Sequence, residues 1–378
     1  MEHEATATYR QHYIDWLRII AVLLLIPFHT ARIFDIWEPN YVKNDTLSPL
    51  LSYLSAFLWS WHMPLLFLLA GAATWYSLGL RNGWGYLQER VKRLLIPFIF
   101  GVLVVTPPQA YLARFQDAGY SEHYLHFLPD YFMIRGDLTG YTGLFTPAHL
   151  WFVLYLFLFS IMGLPVILLF ERKEQYIDRV AEMFARKGMI FLLALPLGIA
   201  GALPAISGKN PFYYFVLFLY GYLLIRDKRL NGVLEQNRRL ALILGAVTMA
   251  ASMVLWILRL PFPLKSTQDI LFYSLRTFNT WFCLLTILGY GQYWLNCTNR
   301  LKRYANEAAY PFYILHQTVI VAIGFYVVRW ELHVGTKFFV IALSSFMVTL
   351  LLYHVCVKRT TLTRFLFGMK PESVKRLI

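Results

Sequence analysis

Charged side chains are scarce in this sequence. Asp, Glu, Lys and Arg make up only 15% of its 378 residues, whereas soluble domains contain about a quarter. Hydrophobic residues make up 58%, and the mean hydropathy is +0.50. This balance excludes an ordinary soluble domain and leaves no stretch polar enough for a separate soluble domain.

Cysteines and the usual catalytic loops are also scarce. The three cysteines, Cys283, Cys297 and Cys356, form neither a disulfide framework nor a Cys-x-x-Cys metal site. The sequence contains no Gly-rich phosphate loop, no Gly-x-Ser-x-Gly nucleophile elbow and no internal repeat. Nucleotide-loop enzymes, serine hydrolases of the elbow type and zinc-knuckle proteins are therefore excluded.

Long apolar runs are what the sequence has instead. Ten of them approach the roughly 20 residues that cross a bilayer, and the fifth and sixth are short. They lie near 14–34, 52–78, 94–113, 149–170, 188–205, 211–226, 240–258, 268–292, 308–328 and 336–356. We predict an all-α polytopic membrane protein, one domain over 1–378 with about ten transmembrane helices around a polar cavity. The first run lacks a small-residue cleavage pattern and is expected to be a signal anchor.

The net charge is +14, and the basic residues are unevenly distributed between the segments that connect these runs. With a cytoplasmic N-terminus, the inside segments hold 24 Lys and Arg, including six in the tail 357–378, and the outside segments hold nine. The positive-inside rule then places both termini in the cytoplasm and the loop 114–148 outside. The basic excess indicates topology and contact with anionic lipid, with no nucleic-acid partner.

Two polar residues interrupt the first run. Arg18 and His29 are eleven residues apart, which in a helix brings them to within roughly 20° of one face and about 16 Å apart. This spacing predicts a polar groove with a cation at one end and a base at the other. For Arg18 alone, snorkelling to the membrane surface is the preferred interpretation, and Asp15 three residues earlier could also pair with it.

Four histidines at membrane depth or at a span mouth lie close to prolines. The pairs are His29 with Pro27, His62 with Pro64, His149 with Pro147, and His316 with Pro311. Prolines loosen a helix, and such breaks are tolerated where the freed groups line protein or water. The pattern favours a wet internal space, although any one of these histidines could serve packing alone.

Two stripes at helical spacing add polar groups to the eighth and ninth runs. They are Arg276, Asn279, Thr280 and Cys283 on one, and Tyr310, Tyr313 and Gln317 on the other, with His316 at its edge. A guanidinium does not deprotonate, so Arg276 needs an anion. A substrate anion is one candidate, and capping the carbonyls of a neighbouring helix is the alternative.

Five ordered motifs between residue 13 and about 320 resemble the membrane-bound acyltransferase 3 family, most closely its glucans biosynthesis protein C branch. "RIIAVLLLIPFH" is similar to the family's Arg-x10-His, and "WHMPLLFLLAGAAT" to its second span. "ERVKRLLIPF" fits its Arg-x-x-Arg, "HLWFVLYL" its fourth span and "YANEAAYPFYILHQTVI" its ninth. One departure is Ala70-Gly71, where the family has Ser-Gly.

The resemblance implies acyl transfer across the bacterial inner membrane. The acyl group, of the acetyl or succinyl class, would pass from cytoplasmic acyl-CoA to a hydroxyl of a periplasmic or cell-surface carbohydrate such as a glucan. His29 would be catalytic, and Arg18, Arg90 and Arg93 would bind the donor phosphates. Auxiliary cavity or acceptor residues would be His62, His149, Trp151, Arg276, Asn279, Tyr313 and His316. No permanent cofactor and no metal site are expected. The sequence does not determine the oligomeric state.

Three alternatives remain at the level of sequence. His29 could be a general base or could carry the acyl group itself. The whole chain could be a transporter or flippase, since broken helices and a polar midplane suit one, or a structural membrane subunit. The Tyr- and Phe-rich loop 114–148 could stack on sugars or form an interfacial aromatic belt.

Overall fold

A computed structural model describes residues 11–37, 39–115, 120–136, 138–258 and 266–370. Within these ranges the chain forms helices and turns and no β-strand, apart from one isolated bridge between Ile206 and Lys209. The predicted all-α fold class is confirmed. Parts of the predicted loop 114–148 and of the basic tail, at 116–119, 137 and 371–378, lie outside the described residues.

The apolar runs form helices, and those over His12–Ala31, Trp151–Arg172 and Arg300–Val327 continue through an internal proline. The α-helices are α1 His12–Ala31, α2 Pro49–Trp59, α3 His62–Leu78, α4 Gly83–Arg90, α5 Ile96–Phe100, α6 Pro107–Arg114, α7 Tyr124–Tyr131, α8 Trp151–Arg172, α9 Glu174–Ala185, α10 Ala194–Gly201, α11 Pro211–Arg226, α12 Lys228–Gln236, α13 Arg238–Ile257, α14 Thr267–Trp294, α15 Arg300–Val327, α16 Val334–Leu352 and α17 Thr361–Leu366. Wider π-helical turns occupy Val91–Leu95, Gly101–Val105 and Tyr353–Val357, and 3-10 turns occupy Ala148–Leu150 and Met189–Leu193.

Eight helical segments among the described residues are long and apolar enough to cross a membrane. A ninth span is possible if α9 and the bent segment Met189–Gly201 count as one. The two predicted runs that do not meet this criterion by themselves are 188–205 and 211–226. The first begins with a 3-10 turn and bends by 115° from α9, and α11 has 16 residues, fewer than the roughly 20 required.

The chain divides into two compact units, each assembled from separated segments. Of the described residues, unit 1 takes those within Met1–Ala21, Phe57–Leu87 and Leu158–Lys302. Unit 2 takes those within Val22–Ala56, Gln88–Phe157 and Arg303–Ile378. Helix α1 contributes its first half to unit 1 and its second half to unit 2.

Helices α3 and α11 of unit 1 pack with their backbones in close approach. A Cβ atom on Gly71 would lie 1.8 Å from the carbonyl oxygen of Phe218, and a Cβ on Gly221 would lie 1.8 Å from that of Leu68. Small residues are the usual means by which membrane helices approach this closely. The glycine of the Ala70-Gly71 pair therefore has a packing reason.

Asp227 begins helix α12 in unit 1. Its carboxylate accepts hydrogen bonds from the backbone N–H groups of Arg229, at 2.8 Å, and Leu230, and from the Arg229 guanidinium at 2.6 Å. Burial by itself would raise the pKa of Asp227, but these donors outweigh it and leave the pKa lowered. Asp227 is thus a charged N-cap.

The segment after α1 in unit 2 is held by a buried carboxylate. Asp35 has no exposed surface and pairs with Arg32 at 2.7 Å and with the Lys43 ammonium at 2.6 Å. Burial lowers the pKa of Lys43, against the raising effect of Asp35. The Lys337 ammonium in α16 donates to Asn44 at 2.9 Å. These paired charges fix the chain that follows the His29 end of α1.

The aromatic segment around α7 forms a small core of its own within unit 2. Phe127 and Tyr131 are buried against Ala110. The Tyr131 hydroxyl hydrogen-bonds with that of Thr106, at 2.8 Å, and donates to the carbonyl of Thr146. The aromatic residues in the described part of loop 114–148 therefore serve partly as packing.

Candidate active site

Three of the four predicted histidines meet within unit 2. The ring of His316, on α15, lies 5.2 Å from that of His29 and 4.9 Å from that of His149, measured between centroids. His316 is the middle ring of the row and is completely buried, His149 is nearly so, and His29 is half-buried. Residues separated by more than a hundred positions along the chain thus form one imidazole cluster.

Backbone carbonyls orient two of these rings. His149 bonds through Nε2 to the carbonyl of Ile314 at 3.0 Å, and His316 bonds through Nδ1 to that of Tyr313 at 2.6 Å. A carbonyl only accepts, so each of these nitrogens donates. In the neutral rings, Nδ1 of His149 and Nε2 of His316 then carry lone pairs. Nδ1 of His149 makes no hydrogen bond to any described residue.

Tyr313 connects the cluster to the start of α8. Its hydroxyl donates to the backbone carbonyl of His149, and its ring lies 5.4 Å from the His149 ring and 5.7 Å from the His316 ring. Tyr313 and His316 are three residues apart on one helix and so share a face. Helix α15 thereby presents a phenol and an imidazole together.

The turn that carries His149 packs closely against Gly101. His149 lies in the 3-10 turn Ala148–Leu150, which follows Pro147, and Leu150 packs where a Cβ atom on Gly101 would be only 2.4 Å away. Ala148 adopts a φ of +46°, a strained value for a residue other than glycine. Strain of this kind persists where the surrounding packing over-determines it.

The four prolines near the histidines occupy two kinds of position, inside a helix or at the start of one. Helices α1 and α15 continue through Pro27 and Pro311 without a break. Pro64 lies in the first turn of α3 and Pro147 precedes a 3-10 turn, positions where a missing N–H costs little. A wet space around Pro27 and Pro311 stays a prediction.

Arg90 and Arg93 share one carboxylate in unit 2. Glu89 accepts a hydrogen bond from Nη2 of Arg90 at 3.3 Å and forms an ion pair with Nε of Arg93 at 3.2 Å. Arg90 is the last residue of α4, and Arg93 lies within the π-helical turn Val91–Leu95. Such turns are frequent at functional sites. The hydroxyl of Tyr310 is buried and makes no hydrogen bond within the described residues.

Arg18 belongs to unit 1 and pairs with a carboxylate on its own helix. Its Nη2 lies 2.9 Å from Asp15, which is the pairing that the sequence left open. Asp15 also binds the Lys302 ammonium at 3.2 Å, and that ammonium lies 2.8 Å from Nδ1 of His12. One carboxylate thus serves two cations at the start of α1.

His62 also belongs to unit 1, and its contact is with a helix backbone. Its Nε2 lies 2.6 Å from the carbonyl oxygen of Ala21, and the residue is only 2% exposed. His62 starts α3 after the interruption that follows α2, so its imidazole ties the beginning of one helix to the middle of another. This contact fits the packing alternative that the sequence kept for a single histidine.

The residues of the Arg276 stripe in α14 differ in burial and in partners within unit 1: two are hydrogen-bonded to neighbouring segments and Arg276 is exposed. Asn279 donates to the carbonyl of Gly245 at 3.1 Å and to the Thr248 hydroxyl at 3.0 Å, which links α14 to α13. Thr280 donates to the carbonyl of Ser60 at 2.6 Å. Arg276 is exposed, and its guanidinium lies 5.8 Å from the Phe272 ring. No described carboxylate lies within salt-bridge distance of it.

Several residues that contact the candidate site residues were not predicted from the sequence. Glu89 precedes Arg93 by four residues, a spacing that indicates a helical ion pair and could have been noticed. Lys302 carries no such signal, because it meets Asp15 from the far end of the chain. Trp151, the remaining predicted site residue, packs its ring on that of Tyr155 at 5.4 Å.

Comparisons with known proteins indicate the same family as the sequence motifs. A family model described as an acyltransferase domain matches residues 11–354. Among curated proteins, Glucans biosynthesis protein C of Salmonella agona is 24% identical over 392 residues, covering 96% of this chain and 95% of the relative. The protein of the same name from Salmonella typhimurium is 24% identical over 398 residues, covering 97% and 96%. No solved structure matches.

Proposed function

The chain belongs to the acyltransferase domain family, and on this premise we propose that it is a transmembrane O-acyltransferase of carbohydrate. An acyl group of the acetyl or succinyl class would pass from cytoplasmic acyl-CoA to a hydroxyl of a periplasmic glycan. The name of the curated relatives supports a glucan as acceptor. The proposed location is a bacterial inner membrane with both termini inside, in line with the Lys and Arg distribution.

The observation that carries the proposal is the imidazole row of His29, His316 and His149. His149 and His316 are oriented by carbonyls so that each neutral ring keeps one accepting nitrogen directed by the fold. His29 is half-buried at the end of the row. An ordered row of bases beside a phenol is typical of proton-transfer chemistry and is costly to maintain in a membrane for packing alone.

The proposed step uses His29 as general base. Its imidazole takes the proton of the acceptor hydroxyl while the oxygen attacks the thioester carbonyl, so a C–O bond forms and the C–S bond breaks. The same proton then passes from the imidazolium to the departing thiolate, giving free coenzyme A and an O-acyl sugar. General-base catalysis of this kind typically contributes 10²–10⁴-fold.

Arginines would hold the donor by its phosphates. Charge-assisted hydrogen bonds from guanidinium to phosphate are stronger than neutral ones and have a defined geometry. Arg90 and Arg93 are already held on one carboxylate, Glu89, so their guanidinium groups are partly ordered before the donor arrives. Arg18 at the start of α1 is the third proposed donor residue.

The direct test uses the full chain purified in nanodiscs. Acetyl-CoA or succinyl-CoA with labelled acyl groups is offered together with a glucan oligosaccharide, and free coenzyme A and acylated sugar are separated by chromatography. Chromatography is needed because the exposed Cys297 and Cys356 would react with thiol reagents. Acyl-sugar formation that disappears in His29→Asn supports the proposal. Glucan movement across vesicles without release of coenzyme A would instead identify a transporter.

A further inference from the structure

Arg364 carries a buried guanidinium in unit 2 and has no role in the proposed catalytic step. It lies in the short helix α17 and is only 6% exposed. Its Nη2 donates to Glu307 at 2.9 Å, and its Nε and Nη2 donate to the carbonyl of Lys370 at 3.2 Å and 2.9 Å. Its Nη1 is buried and makes no hydrogen bond to any described residue.

A second buried donor lies in the π-helical turn that α17 contacts. Tyr353 has no exposed surface, and its hydroxyl makes no hydrogen bond in the described part of the chain. The turn Tyr353–Val357 is joined to α17 by the Thr363 hydroxyl, which donates to the carbonyl of Val357 at 2.8 Å. The Tyr353 ring lies 6.0 Å from that of Tyr304, over which the Lys358 ammonium sits at 5.5 Å. The surroundings thus contain two cations and one carboxylate.

Two buried donors without acceptors are unfavourable, because each loses its hydrogen bonds to water and gains none from the protein. An anchoring role needs only the contacts to Glu307 and Lys370, which Nη2 and Nε already make. Nη1 of Arg364 and the hydroxyl of Tyr353 therefore call for a ligand rich in acceptors. A phosphate group supplies several acceptor oxygens and a negative charge that suits a permanently charged guanidinium.

The segment that carries Arg364 also touches the segment that carries Arg90 and Arg93. Gly368 has a φ of +69°, and a Cβ atom there would lie 2.8 Å from the backbone oxygen of Arg93 and 2.8 Å from the Tyr310 ring. The N–H of Met369 bonds back to the carbonyl of Arg364 at 2.8 Å, so the turn is tight.

From this arrangement we propose that Arg364 and Tyr353 form a second phosphate subsite for the donor, which takes the 3′-phosphomonoester of acyl-CoA. The inference rests on the proposed function. Acyl-CoA carries two phosphate groups of different kind, a terminal monoester and an internal diphosphate. The adjacent Arg90 and Arg93 suit the longer diphosphate, and the single buried guanidinium with a phenol suits the compact monoester.

Binding of two donors that differ only in this phosphate tests the subsite. Acetyl-CoA and 3′-dephospho-acetyl-CoA are titrated calorimetrically into the purified full chain. We expect the wild type to bind acetyl-CoA at least about tenfold more tightly, the effect of one charge-assisted contact. Arg364→Gln should bind both donors alike, with the affinity for the dephospho donor unchanged. The matched control is Arg359→Gln, an exposed arginine of the same segment, which should keep the preference.

A second variant covers the case in which Arg364→Gln does not fold. Tyr353→Phe leaves the contacts of Arg364 to Glu307 and Lys370 in place and should reduce the preference severalfold. An undiminished preference in Tyr353→Phe and in any folded Arg364→Gln would make Arg364 an anchor of α17 only. Equal binding of both donors by the wild type would overturn the 3′-phosphate subsite and would leave the proposed use of acyl-CoA intact. A wild type that binds neither donor would overturn the proposed function itself.

Discussion

The imidazole rings of His29 and His316 lie 5.2 Å apart between centroids, although 286 residues separate them in the chain. His316 is in turn held by the carbonyl of Tyr313 at 2.6 Å, and His149 lies on its other side. His29 is therefore the half-buried end of a row whose other two members are oriented by backbone carbonyls. This relation makes His29 the first residue to test.

His29→Ala and His29→Asn should both fold and bind donor, yet lose acyl transfer by roughly 10³-fold or more. The general base supplies up to about 10⁴-fold, and neither replacement can accept a proton at neutral pH. Turnover of labelled acetyl-CoA with a glucan acceptor measures the loss, and calorimetric donor binding is the control. Near wild-type transfer by His29→Asn would contradict the assignment and direct attention to His316.

Arg90→Ala and Arg93→Ala should each weaken donor binding by about 1.5–3 kcal/mol, the usual contribution of a hydrogen bond to a charged group. The measurement is calorimetric titration with acetyl-CoA in detergent. Lys92→Ala is the matched control, because Lys92 has the same charge, lies between the two arginines and is exposed. Equal losses in all three variants would indicate a diffuse charge effect, and no loss would leave these arginines as topology signals only.

Reporter fusions should place both termini in the cytoplasm and the 114–148 segment outside. The reason is the excess of Lys and Arg in the inside segments, 24 against nine. Alkaline phosphatase fused after Arg359 is expected to be inactive, and a fluorescent protein at the same site is expected to fluoresce. The reverse result would remove the cytoplasmic donor from the mechanism.

Gly71→Ala and Gly221→Ala should destabilise unit 1 by about 1–3 kcal/mol or more, since overpacking costs that much. Each added methyl group would lie 1.8 Å from a backbone oxygen of the facing helix. Thermal unfolding in detergent measures the change. Gly232→Ala is the control, because a Cβ atom there meets nothing within 4 Å and alanine is favoured in a helix. Stable Gly71→Ala protein would show that α3 and α11 can separate at little cost.

Asp227→Ala should cost about 0.5–2 kcal/mol through loss of the α12 cap, and Asp227→Asn should retain most of the cap. The lowered pKa of Asp227 means that its charge stabilises the fold fully above the ordinary value of 3.8. That contribution is lost as the pH falls through the lowered folded-state pKa. Unfolding temperatures of wild type and Asp227→Asn should therefore converge below about pH 4. A constant difference across this range would argue against a charged cap.

The sequence by itself determined the class of this protein. Apolar runs of membrane length specify helices locally, because in lipid the backbone must satisfy its own hydrogen bonds. The eleven-residue spacing placed Arg18 and His29 on one helix, and α1 indeed spans His12–Ala31. The Glu89–Arg93 pair was equally local and could have been predicted from its spacing of four.

Only the tertiary structure decided which polar groups meet. The sequence offered four histidines as equals, but three of them gather in unit 2, while His62 binds the carbonyl of Ala21 in unit 1. About ten spans were expected from the sequence, and eight or nine helical segments among the described residues are long and apolar enough to cross a membrane. Hydropathy and helical period describe one helix at a time. Contacts such as Asp15 with Lys302 depend instead on how helices distant in the chain pack, which no local pattern encodes.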